Sequence, residues 1–238
     1  MAKPIITIIG LGVTGTSLGL ALQRSEGNFE IVGHDKSPEA SQQARQLGAV
    51  QRAEWNLHRA CEGAELIVLA TPIDQAPSLL PHIAEDLKPN CLLLALGSLL
   101  QPLLENTIAA MPNHRFTVVG RPVVAAIGPL PTARADLYDG ATFALATGMN
   151  TDAAALELAS NFASRISANA LFVDAQEHDG MMAGVEQLPQ LLAALLMASN
   201  SRTVSWREAQ RLAGRAFAQA SDVSMNPAAM AESFRTNR

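Results

Sequence analysis

Short apolar runs alternate with longer helix-like segments over the first two-thirds of the chain. The apolar runs lie at 4–10, 29–35, 65–71, 91–97, 116–120, 142–147 and 170–174. They are rich in Ile, Val and Leu without strict apolar–polar alternation, which is typical of strands covered on both faces. Helix-like segments separate them, at 13–24, 38–47, 74–87, 100–111 and 152–166. This alternation predicts an α/β fold with a doubly wound parallel sheet.

The pattern changes after residue 174, where strand signals stop and alanine becomes frequent. Three helices are predicted in this part, at 176–200, 205–220 and 227–236. Residues 188–197 (LPQLLAALLM) are apolar on nearly every side, so this helix is expected to lie in a core or between subunits. We therefore predict two domains, an α/β domain over 1–174 and a smaller all-helical domain over 175–238.

Composition narrows the classes of partner. The 238 residues include 17 basic and 22 acidic side chains, for a net charge of −5, and no run of Lys or Arg. Nucleic acid and membranes are therefore not expected as partners. Cys61 and Cys91 stand outside any Cys/His ligand spacing, so neither a disulfide scaffold nor a metal site is expected. The first residues lack the regions of a signal peptide, which favours a cytoplasmic location.

The sharpest motif is a glycine-rich turn, Gly10-x-Gly12-x-x-Gly15, between the first predicted strand and the first predicted helix. A pyrophosphate-binding turn needs glycine for the tight turn, for close approach of the backbone to the phosphates and for packing of the helix on the strand. Val13 and Thr14 begin this helix, whose free N–H groups favour an anion. The motif predicts a Rossmann-type dinucleotide-binding domain.

Two further segments are predicted to contact the cofactor. Asp35 ends the second predicted strand, where a carboxylate accepts hydrogen bonds from ribose hydroxyls and repels a 2′-phosphate, which favours NAD. Lys36 follows it and favours a 2′-phosphate, so NADP stays an alternative. Thr71-Pro72-Ile73 follows the third long strand, at the carboxyl edge where ligands of such sheets bind.

Several segments carry a further signal through their order along the chain. They are IIGLGVTGTSLGLAL (8–22), IVGHDKS (31–37), IVLATPID (67–74), GSLLQPL (97–103), GPLPTARADLYDG (128–140), Glu177-His178-Asp179 and LPQLLAALL (188–196). In this order they resemble the prephenate/arogenate dehydrogenase family of tyrosine biosynthesis. The resemblance implies oxidative decarboxylation of a small anionic cyclohexadienyl substrate, with hydride transfer to a nicotinamide. It also implies a helical domain that dimerises and an active site between the two domains.

The same resemblance assigns candidate catalytic and substrate-binding residues. Ser98 matches the family's active-site serine. Arg121 stands where the family motif Gly-x-His-Pro has its histidine, and Gln187 stands where a second histidine is usual. Arg215 lies near the position of an arginine that binds the substrate carboxylate, but out of register with it. His178 is the histidine that occupies a matching family position.

The chemistry of these side chains limits their roles. A guanidinium stays protonated and has no acceptor lone pair, so Arg121 is not expected to act as a general base. It is either a surface or structural arginine or a residue that holds a carboxylate. Ser98 either orients a substrate hydroxyl or the nicotinamide amide, or it caps the next helix, and His178 either transfers a proton or holds a helix start. The remaining histidines are interpreted as surface residues without convergent partners: His34, His58, His82 and His114.

Three functions stay open on this basis. The first is an NAD(P)-dependent dehydrogenase acting on prephenate, arogenate or a related small anion. The second is a catalytically impaired relative that binds the dinucleotide as a sensor, because both family histidines are replaced. The third is another reductase that pairs a Rossmann domain with helices. A homodimer through the apolar helix 188–197 is expected in each case.

Overall fold

The structure, a computed structural model, describes residues 3–25, 27–122, 132–147, 152–222 and 227–237. The chain divides into two units, Met1–Gln176 and Glu177–Arg238. All strands of the described residues lie in the first unit, and the described part of the second is helical. This confirms the predicted order of an α/β domain followed by a smaller helical one.

One eight-stranded sheet forms the centre of the first unit. In chain order its strands are β1 (Ile5–Ile9), β2 (Glu30–His34), β3 (Arg52–Ala53), β4 (Leu66–Leu69), β5 (Leu92–Gly97), β6 (Arg115–Gly120), β7 (Thr142–Thr147) and β8 (Asn169–Asp174). Their order across the sheet is β3-β2-β1-β4-β5-β6-β7-β8. The chain reverses its direction of travel between β1 and β4, and such a reversal opens a crevice at the carboxyl ends of the strands.

The sheet is mostly parallel, as predicted, and contains one antiparallel pair of strands. β7 runs antiparallel to β6, with Val119 opposite Leu145, while the other pairs of the described sheet are parallel. A parallel crossover has to carry the chain back to the opposite edge of the sheet. Residues 132–141 instead lead into β7 from the edge at which β6 ends. The sheet is therefore mixed, although mostly parallel.

Helices cover both faces of this sheet. They are α1 (Val13–Arg24), α2 (Pro38–Gln46), α3 (Leu57–Cys61), α4 (Ala76–Asp86), α5 (Gln101–Ala110) and α6 (Ala153–Arg165). One apolar core receives side chains from α1, α2 and α6, and a second receives them from α3, α4 and α5. Neighbouring residues of β5 alternate between them, with Leu94 in the first core and Leu93 in the second. Burial on both faces explains why the strand sequences do not alternate with polar residues.

Side-chain caps fix the start of three of these helices. Ser37 accepts a hydrogen bond from the Ala40 N–H ahead of α2, and Asp152 accepts one from the Ala154 N–H ahead of α6. Asn56 does the same ahead of α3, a helix that the apolar pattern does not predict. β3 is likewise absent from the prediction, because a strand of two residues has no measurable periodicity.

Five helical segments and a π turn follow β8 in the described residues, and all but the first two residues of α7 belong to the second unit. They are α7 (Ala175–Met182), the π turn Ala183–Gln187, α8 (Leu188–Ser201), α9 (Trp206–Leu212), α10 (Arg215–Ala220) and α11 (Pro227–Thr236). The single helix predicted over 205–220 is wrong, since it breaks between α9 and α10. Gly214 lies at this break with an extended backbone and caps α10, as the low helix propensity of glycine favours.

The apolar side chains of α8 are not enclosed within the single chain. Leu192 is 57% exposed and Leu195 is 55% exposed. Burial in a core of this chain therefore does not account for their apolar character, and coverage by a second subunit stays a prediction. By length and composition alone, one stretch of the described residues, Ala175–Ser201, could also cross a membrane. One such helix is weak evidence for a membrane span, and the absence of a membrane partner stays a prediction.

Candidate functional site

The fold itself requires two of the three motif glycines. Gly10 has φ of +95°, and a Cβ there would lie 2.8 Å from the carbonyl oxygen of Ala70 at the end of the neighbouring strand. Its N–H donates to the carbonyl oxygen of His34 at 2.8 Å, which ties the turn to β2. A Cβ on Gly15 would collide with the carbonyl oxygen of Gly10. These glycines let α1 begin directly above the end of β1.

The fold does not require glycine at position 12. A Cβ on Gly12 would meet no protein atom within 4 Å among the described residues, and its backbone conformation is open to any residue. Gly12 is the N-cap of α1, and no side chain caps this helix or adds an acidic charge to its first turn. The first N–H groups of α1 and the positive end of its dipole are thus available to an anionic ligand.

Asp35 is fixed against this turn. One carboxylate oxygen accepts the N–H of Leu11 at 2.7 Å, and the other accepts the N–H of Ser37 at 2.8 Å. A carboxylate oxygen has more than one acceptor position, so each keeps capacity for a ligand hydroxyl. The sequence predicts Asp35 as a cofactor contact, but its hold on the glycine turn appears only in the structure. Lys36 is exposed beside it.

The predicted segment Thr71-Pro72-Ile73 lies close to Gly10. The Thr71 methyl group would stand 3.0 Å from a Cβ on Gly10. The Thr71 hydroxyl is buried and has no hydrogen-bond partner among the described residues. Buried hydroxyls are nearly always satisfied, so this one can accept a polar partner from outside the described chain. Pro72 is exposed, and Ile73 begins a short 3₁₀ turn, Ile73–Gln75, that leads into α4.

Residues 134–139 pack over the start of α1, which sequence reasoning missed. The Tyr138 hydroxyl donates to the carbonyl oxygen of Thr14 at 3.2 Å, and the N–H of Arg134 donates to the Ser17 hydroxyl at 3.2 Å. Burial raises the pKa of Tyr138 to about 12. Asp139 forms an ion pair with Arg24, which lowers the pKa of this exposed carboxyl. The sequence shows only that Tyr138 lies between two aspartates, which does not reveal that its partner is Thr14.

Ser98 and Arg121 lie side by side at the carboxyl edge of the sheet. Gly97 ends β5 opposite Gly120, which ends β6, and Ser98 and Arg121 follow them. The Arg121 N–H donates to the carbonyl oxygen of Gly97 at 2.8 Å, which extends the pairing by one residue. The interpretation of Ser98 as a helix cap is wrong, because Leu100 is the N-cap of α5. Ser98 is half-buried and Arg121 is exposed.

The remaining predicted site residues belong to the second unit. His178 and Asp179 are both buried, with His178 Nδ1 2.9 Å from Asp179 Oδ1. Gln187 lies at the end of the π turn, and both ends of its amide are engaged. Its Nε2 donates to the Ser233 hydroxyl at 2.7 Å, and its Oε1 accepts from Asn237 at 2.8 Å. Arg215 is exposed at the first residue of α10.

Two of the histidines interpreted as lacking partners have them, which corrects that prediction. His34 Nδ1 lies 2.9 Å from the carbonyl oxygen of Glu54. His58 Nδ1 lies 2.7 Å from Asp86 Oδ2. His58, His82 and Glu85 are also grouped, with one ligand atom of each within 4.8 Å of the others. These residues lie on two helices, so their spacing along the chain did not reveal the group.

Two family models match the chain in succession. The model described as the prephenate dehydrogenase nucleotide-binding domain matches residues 18–171. The model described as the prephenate dehydrogenase dimerization domain matches residues 174–238. The first alone covers more than half of the chain. It shows that the unit containing the glycine turn is a nucleotide-binding domain.

Curated relatives carry the same or a similar description. The prephenate dehydrogenase of Bacillus subtilis is 26% identical over 197 residues, which is 82% of this chain and 53% of the relative. The probable prephenate dehydrogenase NovF of Streptomyces niveus is 33% identical over 194 residues, which is 80% of this chain and 51% of the relative. The chain thus spans about half the length of these relatives.

Solved structures show the same fold at low identity. The prephenate dehydrogenase of A. aeolicus in complex with hydroxyphenyl propionate and NAD+ matches with a TM-score of 0.90 at 18% identity, over 100% of this chain and 84% of that chain. The arogenate dehydrogenase of Synechocystis matches with a TM-score of 0.78 at 22% identity, over 98% of this chain and 84% of that chain. Fold, glycine turn and both family models agree, and the chain belongs to the prephenate dehydrogenase family.

Proposed function

We propose that this chain binds NAD and catalyses the oxidative decarboxylation of prephenate, arogenate or a closely related small anion in tyrosine biosynthesis. One observation carries the proposal: Gly12 is a glycine for which the described protein has no steric use, at the uncapped start of α1. NAD, when bound, would supply the hydride acceptor for the carbinol carbon of a substrate that loses carbon dioxide and becomes aromatic. The names of the relatives supply the substrate class.

The protein groups around Gly12 suit a dinucleotide. The N–H groups of Gly12, Val13 and Thr14 provide the anion site for the pyrophosphate. Asp35 is held by two backbone N–H groups and retains acceptor capacity for ribose hydroxyls. Its negative charge opposes a 2′-phosphate, so NAD is the proposed cofactor and NADP, aided by Lys36, is the alternative.

Thr71 completes the proposed cofactor site. Its buried hydroxyl needs a partner, and burial of an unsatisfied hydroxyl costs roughly 1–3 kcal/mol. A polar group of the nucleotide would satisfy it, because Thr71 adjoins Gly10 at the carboxyl edge of the sheet. Pro72 and Ile73 extend the same edge toward α4.

Arg121 and Ser98 form the proposed substrate side of the first unit. The Arg121 guanidinium is exposed at the carboxyl edge and can hold a carboxylate through two parallel hydrogen bonds. Ser98, next to it, has a hydroxyl that both donates and accepts, so it can orient the substrate hydroxyl. Neither group can accept and keep the carbinol proton near neutral pH.

His178 is the proposed proton acceptor. Its Nδ1 is hydrogen-bonded to Asp179, which fixes the orientation of the imidazole. A histidine held in this way can take a proton at Nε2 and release it again. Gln187 and Arg215 stay predicted substrate contacts. A substrate would have to compete with Ser233 and Asn237 for the Gln187 amide.

A second candidate function is a dinucleotide-binding sensor without turnover. It is favoured by Gln187, whose amide is neutral, cannot take up a proton near neutral pH and is bound to groups at the C-terminal helix. It is also favoured by Arg121, which cannot serve as a general base. In this function Arg121 still binds an anion, but no hydride is transferred.

We also propose a homodimer through the second unit. The matching family model is described as a dimerization domain. Leu188, Leu192 and Leu195 of α8 are each at least half exposed in the single chain. Exposed apolar patches of this kind mark protein interfaces. A symmetric pairing would cover the same face on both copies.

One experiment separates the two functions. NAD binding is measured by calorimetry, and formation of reduced nicotinamide is followed by absorbance in the same sample with prephenate or arogenate. Binding together with turnover on either compound supports the dehydrogenase. Binding without turnover on either compound supports the sensor. Absence of binding to both NAD and NADP contradicts the assignment of the glycine turn and therefore both functions.

A further inference from the structure

Two exposed helices on one side of the sheet bring together a group of potential metal ligands. His58 lies on α3, and His82 and Glu85 lie on α4. We propose that His58, His82 and Glu85 form a binding site for a divalent transition-metal ion of the zinc class, with Asp86 orienting His58. One ligand atom of each residue lies within 4.8 Å of the others. The site does not depend on the proposed catalytic function.

Local structure places the two ligands of α4 on one face. Residues three apart on an α-helix are neighbours, so His82 and Glu85 project in similar directions. α3 and α4 pack on the same apolar core, because Cys61 of α3 and Leu80 and Ile83 of α4 are buried in it. The imidazole rings of His58 and His82 meet edge to face, with centroids 6.2 Å apart and planes at 76°. They therefore do not stack.

The three ligand atoms would have to move only slightly closer together to bind an ion. Zinc binds histidine nitrogen at about 2.0–2.1 Å and carboxylate oxygen at about 2.0–2.2 Å, so two ligands of a tetrahedral site lie about 3.4 Å apart. Side chains spaced up to 4.8 Å would have to approach by roughly an ångström. All three side chains are exposed, so rotamer changes can supply this without moving either helix.

Asp86 adds an independent indication. Its Oδ2 lies 2.7 Å from His58 Nδ1. When a carboxylate accepts the Nδ1 proton of a histidine, Nε2 keeps its lone pair, and this arrangement is the usual outer partner of a metal-binding histidine. Two imidazoles and one carboxylate match the ligand preference of zinc, copper, nickel and cobalt, and not that of calcium or magnesium. Three protein ligands leave a position for water.

The nearby thiol does not compete for the ion. Cys61 is buried at the end of α3, whereas the three proposed ligands are exposed. A bound ion would therefore link α3 to α4 across the surface. α4 follows the Ile73–Gln75 turn behind Thr71. The site thus braces the helix that continues from one predicted cofactor segment.

The test uses the full chain after removal of metal by a chelator. Zinc chloride is titrated by calorimetry, and thermal unfolding is followed with and without zinc. Variants His82→Asn, Glu85→Gln and Asp86→Asn are compared with Glu157→Gln, a matched control at an exposed glutamate of α6. His82, Glu85 and Glu157 are exposed and Asp86 is half-buried. Circular dichroism verifies that each variant folds.

We expect one zinc ion per chain and a rise in Tm on binding. His82→Asn and Glu85→Gln should weaken binding by at least tenfold, and Asp86→Asn by about 10- to 100-fold, as for other outer partners of metal histidines. Glu157→Gln should bind as the parent does. Unchanged zinc affinity in both His82→Asn and Glu85→Gln overturns the proposal, and so does cobalt binding that shows a thiolate charge-transfer band.

Discussion

Asp35 holds the glycine turn from the neighbouring strand, through a 2.7 Å hydrogen bond from the Leu11 N–H to its carboxylate. The second carboxylate oxygen accepts the N–H of Ser37. One side chain thus fixes the backbone on both sides of the site proposed for the ribose and pyrophosphate. Asp35, which the sequence predicts as a ligand contact, therefore also supports the glycine turn beside it.

Substitution of Asp35 should separate these two roles. Asp35→Asn retains an oxygen acceptor for one backbone N–H but removes the negative charge. We expect NAD affinity to fall about tenfold, corresponding to roughly 1.4 kcal/mol, and NADP affinity to fall less. Asp35→Ala should additionally lower the free energy of unfolding by about 1–3 kcal/mol, because two backbone N–H groups lose their acceptor. Calorimetry and urea unfolding measure the two effects, and equal losses of NAD and NADP affinity would contradict the ribose role.

Gly12→Val should abolish tight NAD binding without unfolding the protein. A Cβ at this position meets no described protein atom within 4 Å but occupies space above the start of α1, so we expect a loss of about 1–3 kcal/mol, roughly 5- to 150-fold in affinity. Gly214→Val is the matched control, since Gly214 is also a helix N-cap with ψ of −169° and open space around it. Wild-type NAD affinity in Gly12→Val would remove the glycine turn from the cofactor site.

Arg121→Gln should impair binding of the anionic substrate more than binding of NAD. The amide retains hydrogen bonding but loses the charge, so we expect KM to rise about 10- to 100-fold, the equivalent of a lost charged hydrogen-bond pair. Arg45→Gln, an exposed arginine on α2, is the control. If turnover is absent in the parent protein, the affinity for prephenate replaces KM as the readout. An unchanged value in Arg121→Gln would exclude Arg121 as the carboxylate clamp.

Tyr138→Phe should flatten the loss of stability at high pH. The pKa of Tyr138 is raised by burial from 10.0 to about 12 in the folded protein, so the unfolded chain releases the phenolic proton first. Below about pH 10, ionisation of Tyr138 does not reduce the free energy of unfolding. As pH rises toward 12, this free energy falls by up to about 2–3 kcal/mol. Cys61 and Cys91 add a loss of the same sign, so the parent and the variant are compared at each pH by urea unfolding. Parallel curves would indicate that Tyr138 titrates normally.

Leu192→Glu should dissociate the proposed dimer. Leu192 is 57% exposed in the single chain, and a charge buried there in an interface would weaken association by at least about tenfold. Ile108→Glu, on α5 of the first unit and 51% exposed, is the control for a charge placed at an exposed apolar position. Sedimentation velocity over a concentration series measures both. A dimer that survives in Leu192→Glu places the interface elsewhere.

The sequence by itself determined most of the strand and helix order and the place of the glycine turn. The apolar runs gave strands within a residue or two of those observed, and α1 begins and ends where predicted, because burial on both sheet faces and helical periodicity leave local signals. The glycine motif is equally local, since it lies within six residues between a strand and a helix. The fold requires Gly10 and Gly15, while Gly12 leaves open space at the start of α1. Asp35 follows from its place at the end of the next strand.

The tertiary structure alone decided which distant residues meet. Tyr138 bonds to Thr14 across 124 positions of sequence, and Gln187 bonds to Ser233 across 46. His58 meets His82 and Glu85 only because α3 and α4 pack on the same core. The antiparallel direction of β7 likewise depends on the edge from which the chain returns. Such contacts depend on register and packing, which have no period along the chain, so no pattern of residue types announces them.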